Sequence, residues 1–132
     1  MSELSYLSLS EARAGLQSRQ FSSVELVQSY IERMSSFKKL NAFITELPEL
    51  ALKNADISDK RIKKGNSGLL EGLPIGVKDL FCTEGILTTA GSHILDGFTP
   101  PYESTVTQKI KDAGAIVIGK TNLDEFAMGS SN

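Results

Sequence analysis

The sequence has few of the residues that form covalent or metal cross-links. Its 132 residues include one histidine, one cysteine and no tryptophan. Because the single cysteine, Cys82, cannot form an internal disulfide, the sequence is typical of a chain kept in the reducing cytoplasm. We therefore predict a cytoplasmic protein without a metal site.

Long apolar runs and an excess of one charge are also absent. No apolar run approaches the ~18 residues of a membrane span, and the opening MSELSYLSLSEARAG lacks the basic and apolar regions of a signal peptide. Fourteen basic and sixteen acidic side chains give a net charge of -2. This balance predicts no membrane association and no basic surface for direct nucleic-acid binding.

The length and the last residues suggest part of a longer chain. A chain of 132 residues has the size of one modest domain. It ends at FAMGSSN, directly after an apolar segment and within a run of small residues, without a charged tail. We therefore expect a truncated chain.

Helices dominate the predicted first half. Two capping boxes, the pattern that begins many helices, occur at Ser8 and Ser22. Apolar residues follow each box at helical spacing, and Pro48 suits the first turn of a third helix. The apolar residues of the three helices are Leu9, Ala12 and Leu16, then Val24, Val27, Tyr30, Ile31 and Met34, then Leu50, Ala51, Ala55 and Ile62.

The second half predicts strands around one helix. Residues 73–81 form a short apolar run flanked by glycines, which favours a buried strand. A helix capped by Ser104 is expected next, with the inward residues Val106, Ile110 and Ala113. The β-branched run 115–118 then predicts a second strand, so that strand, helix and strand form a βαβ unit with parallel strands. The predicted fold is α/β in one domain, with a helical N-terminal layer over residues 1–65 and the start of a sheet over residues 66–132.

Residues 114–121, GAIVIGKT, match the P-loop pattern of nucleotide-binding proteins letter for letter. A phosphate-binding loop, however, follows a strand and opens a helix, so that successive backbone N–H groups converge on the anion. Here the variable positions are themselves the predicted strand, and a helix precedes them. We therefore interpret Lys120 and Thr121 as the exit turn of that strand and predict no nucleotide site.

The single Cys82 and His93 form no recognisable catalytic pattern. A nucleophilic cysteine needs a base and a group that orients the base, and nothing near either residue in the sequence supplies the third group. Both are expected in packing or turn roles.

Lys78 lies near the end of the first predicted strand, within GLPIGVKDLF. In one interpretation its stem lies along apolar surface while the ammonium reaches water, which is the commoner arrangement for a lysine. In the other, burial favours the neutral amine, which can act as a general base. Spacing leaves both open and favours the first.

Three long stretches of the sequence resemble one known family. GLPIGVKDLF, TEGILTTAGSHIL and FTPPYESTVTQKIKDAGAIVIGKTNLDEFAMGSS match, in order, the N-terminal part of the amidase signature family. The resemblance extends from about residue 8 to the last residue, and it is most specific over residues 72–131. It implies the amidase signature fold, one large mixed sheet between helical layers, of which this sequence is an incomplete part. The ending DEFAMGSS is most similar to subunits of amidotransferases that act on misacylated tRNA.

The resemblance implies a catalytic role for Lys78. Members of the family use a nucleophilic serine, a second serine in a cis peptide and a lysine, and that lysine belongs to the strand motif that holds Lys78 here. Lys78 would be the general base of this triad. Both serines belong to a Gly- and Ser-rich segment that follows DEFAMGSS in the family and is missing from this sequence. Met128, Gly129 and Ser130 match the preceding loop, which borders the substrate pocket.

The implied activity is the hydrolysis of glutamine, with passage of the ammonia to a partner. The resemblance implies a heterotrimer with a tRNA-binding B subunit and a small C subunit, which converts Glu-tRNA(Gln) or Asp-tRNA(Asn) to the amide form in translation. The B subunit would use ATP and magnesium and would contact most of the tRNA, whereas this chain would need no cofactor.

Two alternatives stay open at this point. One is a stand-alone amidase of a small carboxamide, and the other is a non-catalytic truncated remnant that only binds a partner. Without the two serines, the 132 residues themselves are expected to be inactive. They are also expected to be stable only with the rest of the chain, because isolated strands expose unpaired edges.

Overall fold

The computed structural model describes residues 3–129 of the chain. Within that range, four α-helices and three β-strands form an α/β arrangement, which confirms the predicted class. The helices are α1 (Leu9–Ser18), α2 (Ser23–Ser36), α3 (Pro48–Lys63) and α4 (Thr105–Asp112), and the strands are β1 (Phe43–Glu46), β2 (Pro74–Lys78) and β3 (Ile116–Thr121). Short 3-10 turns lie at Glu3–Tyr6, Lys38–Leu40, His93–Leu95 and Glu125–Ala127.

Both predicted capping boxes begin helices. The Ser22 hydroxyl accepts a hydrogen bond from the backbone N–H of Glu25 (3.1 Å), and the Glu25 carboxylate accepts one from the backbone N–H of Ser22 (2.7 Å). Ser8 and Glu11 form the same reciprocal pair before α1. Hydrogen bonds from the backbone N–H and the hydroxyl of Ser22 hold the pKa of Glu25 below its usual value. Each box thus satisfies N–H groups that have no partner inside the helix.

The main core lies between α2, α3 and β3. Its buried residues are Val27 of α2, Ala51 and Ala55 of α3, and Ile116 and Ile118 of β3. Because alanine carries only a methyl group, the two alanines let α3 approach the strand closely. A second cluster joins α1 and α2 to the residue before β2, through Ala12, Leu16, Leu26 and Leu73. Together the two clusters cover the strands with the predicted helical layer.

The three strands form one mixed sheet in the order β1-β3-β2. Strands β2 and β3 pair in parallel, with α4 between them in the sequence, as the βαβ prediction requires. Strand β2 is shorter than the predicted run 73–81, because the chain turns at residues 79 and 80. Strand β1 pairs antiparallel with β3 and was not predicted.

Strand β3 includes two residues that were expected to lie in the turn after it. The strand includes Lys120 and Thr121, so the assignment of these residues to an exit turn is wrong. Lys120 is fully buried. An extended strand at 116–121 cannot curl around a phosphate, which excludes the P-loop that the letters suggest.

The buried face of α4 also differs from its prediction. Thr107 is fully buried, whereas Val106, which was expected inward, is 45% exposed. The Thr107 hydroxyl donates to the Cys82 carbonyl (3.0 Å), and the Ser104 N–H donates to the same oxygen (2.8 Å). Polar contacts with the segment after β2 therefore orient this helix, and the apolar pattern alone did not reveal them.

Candidate active site

Lys78 is the last residue of β2, at the carboxyl end of the parallel pair β2 and β3. Its side chain is half-buried. Within residues 3–129, the structure gives its amine no hydrogen bond or ion pair. The main chain is fixed, because Lys78 lies opposite Thr121 and the N–H of Asp79 donates to the Thr121 carbonyl at 3.1 Å. Ligand-binding crevices of α/β proteins form at this end of parallel strands.

A fully buried ion pair adjoins Lys78. Asp79 Oδ1 lies 3.2 Å from Lys120 Nζ, and both side chains are 0% exposed. Lys120 also donates to the Phe81 carbonyl (3.0 Å) and to the Thr88 hydroxyl (2.8 Å). Burial lowers the pKa of Lys120, and the neighbouring carboxylate of Asp79 opposes that shift. The amine of Lys120 is therefore committed to protein contacts, in contrast to that of Lys78.

Asp79 extends this network into the following residues. Its Oδ2 accepts hydrogen bonds from the N–H (2.9 Å) and the hydroxyl (2.6 Å) of Thr89. Its carbonyl accepts one from the N–H of Ala90 (2.9 Å). The chain after β2 thus forms a loop whose far end, at Thr89 and Ala90, is hydrogen-bonded back to Asp79 at its start.

Two loops meet at the carboxyl end of the parallel strands. The β2 loop (residues 79–92) follows β2, and the β3 loop (residues 122–129) follows β3. The N–H of Phe126 in the β3 loop donates to the carbonyl of Ala90 in the β2 loop at 2.8 Å. The predicted base and the loop predicted to border a substrate pocket therefore lie at the same end of the sheet.

Three residues of these loops have left-handed backbone conformations. Ala90, Phe126 and Ala127 have φ values of 54°, 53° and 55°. This conformation costs about 1–2 kcal/mol for a residue with a Cβ atom and persists where the surroundings impose it, as binding sites often do. No local pattern indicates these conformations, since alanine and phenylalanine are not typical turn residues.

The residues predicted to border a substrate pocket are described only in part. Met128 is 78% exposed. The Gly129 N–H donates to Asp124 Oδ2 at 2.6 Å, which closes the β3 loop on itself. Ser130 lies outside the described residues. Among residues 3–129, no hydrogen bond or ion pair joins Met128 or Gly129 to Lys78.

A cavity of about 500 Å³ opens beside the sheet. Its lining includes Tyr30 and Met34 of α2, Phe43 of β1, and Pro74 and Gly76 of β2, but not Lys78. The cavity shares a strand with Lys78 and none of the polar network of the two loops. The carboxyl end of the strands, and not this cavity, is therefore the candidate site.

Cys82 and His93 have separate local contacts. The His93 ring lies 2.9 Å from the Asp96 carboxylate, and Cys82 Sγ lies 3.7 Å from the Tyr102 hydroxyl. In the described part of the chain, no group of three or more His, Cys, Asp or Glu side chains is arranged to hold a metal ion. None of the described helices has both the length and the apolar character needed to cross a membrane.

Comparison with known families defines the class of this fold and site. The model of the Amidase family matches residues 25–132, a range that includes Lys78, the buried ion pair and both loops. The chain therefore belongs to the amidase family.

Curated relatives show which members of the family are similar. The A subunit of glutamyl-tRNA(Gln) amidotransferase from Paramagnetospirillum magneticum is 59% identical over 132 residues, which are 100% of this chain and 27% of the relative. The protein of the same name from Rhodospirillum rubrum is 56% identical over 129 residues, 98% of this chain and 26% of the relative. The chain thus spans about a quarter of the length of the curated relatives it matches.

Solved structures support the same fold. The peptide amidase of Stenotrophomonas maltophilia superposes with a TM-score of 0.83 and 33% identity over 89% of this chain and 25% of that chain. A bacterial aryl acylamidase of the amidase signature family gives a TM-score of 0.86 and 27% identity over 95% of this chain and 27% of that chain. These likenesses confirm that the α/β arrangement is that of the amidase signature enzymes.

Proposed function

We propose that residues 1–132 are the N-terminal part of one domain in the glutamine-hydrolysing A subunit of a tRNA-dependent amidotransferase. The observation that carries this proposal is a difference in identity. Relatives with that name are 52–59% identical over 98–100% of the chain, whereas the two amidases of known structure described above are 27–33% identical. Similarity at the higher level favours the activity of the named subgroup over that of amidases in general.

In this proposal Lys78 is the general base. A base must be free to accept a proton. Within residues 3–129, the amine of Lys78 is held in no ion pair, whereas that of Lys120 is paired with Asp79. Lys78 accepts a proton from a bridging serine, which takes the proton of the nucleophilic serine as this serine attacks the carboxamide carbon of glutamine. Return of the proton to the leaving nitrogen breaks the C–N bond, releases ammonia and leaves the glutamyl group as an ester on the nucleophilic serine. Water then hydrolyses this ester to glutamate and restores the serine. Both serines belong to residues that follow this sequence.

The remaining assignments follow from the same proposal. The β3 loop, with Met128, Gly129 and Ser130, borders the glutamine pocket. Ammonia passes to a tRNA-binding B subunit, which uses ATP and magnesium to amidate Glu-tRNA(Gln) or Asp-tRNA(Asn), and a small C subunit completes the complex in the cytoplasm. The first 132 residues alone hydrolyse nothing, because a base without a nucleophile has no proton to take.

A stand-alone amidase is the second candidate. The specific observation in its favour is the close superposition on a peptide amidase and an aryl acylamidase, with TM-scores of 0.83 and 0.86. Both candidate functions use Lys78 as the base, and they differ in substrate. The amidotransferase subunit acts on the side-chain amide of free glutamine, whereas the stand-alone amidase acts on a different carboxamide.

The decisive experiment compares lysine variants of the full-length protein that carries these residues. Lys78→Ala is expected to lower the rate of glutamine hydrolysis by about 10²–10⁴-fold, the usual contribution of a general base. Lys64→Ala is the matched control, because Lys64 is an exposed lysine at the end of α3 and its loss should leave the rate unchanged. Retention of most of the activity in Lys78→Ala would refute the assignment of the base.

The same preparation separates the two candidate substrates. Ammonia release is measured with glutamine and with a C-terminal peptide amide at equal concentrations. Faster release from glutamine supports the amidotransferase, and faster release from the peptide amide supports the stand-alone amidase.

A further inference from the structure

We propose that Lys120 is a positioning residue for the amidase reaction, holding the β2 loop so that the main chain at Lys78 presents its amine to the catalytic serines. This inference rests on the proposed role of Lys78 as the base. It concerns a second lysine, which was predicted to lie in a turn and is not a member of the proposed triad.

The contacts of Lys120 gather three separate positions after β2. Its Nζ lies 3.2 Å from Asp79 Oδ1, 3.0 Å from the Phe81 carbonyl and 2.8 Å from the Thr88 hydroxyl. Asp79 and Phe81 lie in the first part of the β2 loop, and Thr88 lies towards its end. A single ammonium group therefore closes the loop that begins one residue after Lys78.

A β-bulge in β3 places the Lys120 side chain on the face of the sheet where Asp79 lies. Ile75 pairs with Val117 but Gly76 pairs with Gly119, so Ile118 is an extra residue on β3. As a result Lys120 lies opposite Val77, on the same face as Asp79, because side chains alternate along a strand.

Without the extra residue in β3, Lys120 would lie on the same face of the sheet as Lys78. A regular register would set Lys120 opposite Lys78, with two ammonium groups side by side on one face. The observed register instead sets Thr121 opposite Lys78 and sends the charge of Lys120 to the opposite face. The bulge thus separates two lysines of different function.

Asp79 transmits the constraint to Lys78. Its side chain is held by Lys120 and Thr89, its N–H by the Thr121 carbonyl and its carbonyl by the N–H of Ala90. The residue directly after Lys78 is therefore held by hydrogen bonds at its N–H, its carbonyl and Oδ2, and by the ion pair at Oδ1. Since the amine of Lys78 has no hydrogen bond or ion pair of its own within residues 3–129, its position depends on this fixed main chain.

A purely structural role is the rival explanation, and a pair of double variants distinguishes the two. Replacement of a buried ion pair by apolar residues of similar volume is often neutral for stability. Lys120→Met with Asp79→Leu removes the charges and the loop contacts, whereas Lys120→Gln with Asp79→Asn keeps polar groups that can bind Phe81 and Thr89. Both are made in the full-length protein, alongside Lys78→Ala.

The measurements are the thermal midpoint and the kcat and KM for glutamine hydrolysis. For the apolar pair we expect a protein that is still folded at the assay temperature but has a lower midpoint, because the buried Thr89 N–H loses its acceptor. We also expect a KM within about twofold and a kcat lowered by about 10–100-fold, the scale of a small misplacement of a reacting group. For the polar pair we expect recovery of at least part of the lost kcat. A folded apolar pair with the original kcat would overturn the proposal, and so would unfolding of both double variants.

The proposed base and the proposed positioning role fail separately. If Lys78→Ala keeps its activity, the proposed base is wrong, whatever the double variants do. If Lys78→Ala is inactive and the apolar pair is fully active, the base is correct and Lys120 has no positioning role.

Discussion

A methyl group added at Gly114 tests how firmly the buried carboxylate of Glu71 holds the start of β2. Glu71 accepts hydrogen bonds from the Ser58 hydroxyl (2.6 Å) and from the N–H of Gly68 (3.2 Å). Gly114 has φ of +89°, and a Cβ atom there would lie 2.5 Å from Glu71 Oε2 and 2.8 Å from its Cα. Because one of these contacts is with backbone, a side-chain rotation cannot relieve both, and Gly114→Ala must displace Glu71.

The expected cost has two parts. A residue with a Cβ atom at positive φ costs about 1–2 kcal/mol. If the displaced carboxylate loses one of its two hydrogen bonds, the loss costs about 1.5–3 kcal/mol more, because the bond involves a charged group. The total is about 2.5–5 kcal/mol. Gly65→Ala is the matched control, since Gly65 has φ of +72° and nothing within 4 Å of the added methyl group, so that it carries the first part alone.

Amide hydrogen exchange in the full-length protein measures this cost where it arises. The peptide 68–73 contains the N–H groups of Leu70 and Gly72, which donate to Ala113 and Gly114. An excess of about 1.5–3 kcal/mol predicts exchange about 10- to 150-fold faster in Gly114→Ala than in Gly65→Ala, at about 1.36 kcal/mol per factor of ten. Equal exchange in the two variants would show that Glu71 does not anchor this segment.

Two further predictions concern the ends of the chain's helices and the chain as a whole. Hydrogen bonds from Ser22 lower the pKa of Glu25 in the folded state. The stabilisation that the Glu25 carboxylate gives α2 is therefore complete above the usual pKa of 4.5, and it is lost as the pH falls through the lower pKa of the folded state. The difference in exchange at the first turn of α2 between Glu25→Gln and the original protein should therefore vanish in acid, and a difference that persists there would contradict the capping role. A purified chain of residues 1–132 should show no sharp cooperative thermal transition, because β1 and β2 are both edge strands of the described sheet, and a steep calorimetric peak would refute this.

The elements predicted correctly are those whose signals are local. The capping boxes at Ser8 and Ser22 each involve residues three apart, and both begin helices where the pattern places them. The βαβ unit was also predicted, because a strand, a helix and a strand in sequence have few ways to connect. Strand β1 was missed, since its four residues are stabilised by pairing with β3 and show no long alternation of their own.

The site depends on relations that no local pattern contains. Lys78 and Lys120 each lie at or near the end of a parallel strand, and each follows a short apolar run. From residue spacing alone, the first was a lysine with two open interpretations, to which only the family resemblance gave a catalytic role, and the second was part of a rejected nucleotide motif. Nothing in either stretch indicates that Lys120 is buried in an ion pair whereas Lys78 has none within the described range.

The register between the two strands makes that distinction. Ile118 adds one residue to β3 before Gly119, and the side chains that follow it exchange faces relative to β2. Lys120 therefore lies beside Asp79, where a charge of opposite sign and two oxygen acceptors offset its burial. Lys78 lies on the other face and has no such partner among residues 3–129. The same letters GAIVIGKT that suggest a phosphate loop thus encode a bulged strand. In the proposed mechanism, this bulge lets Lys120 position the β2 loop while Lys78 acts as the base.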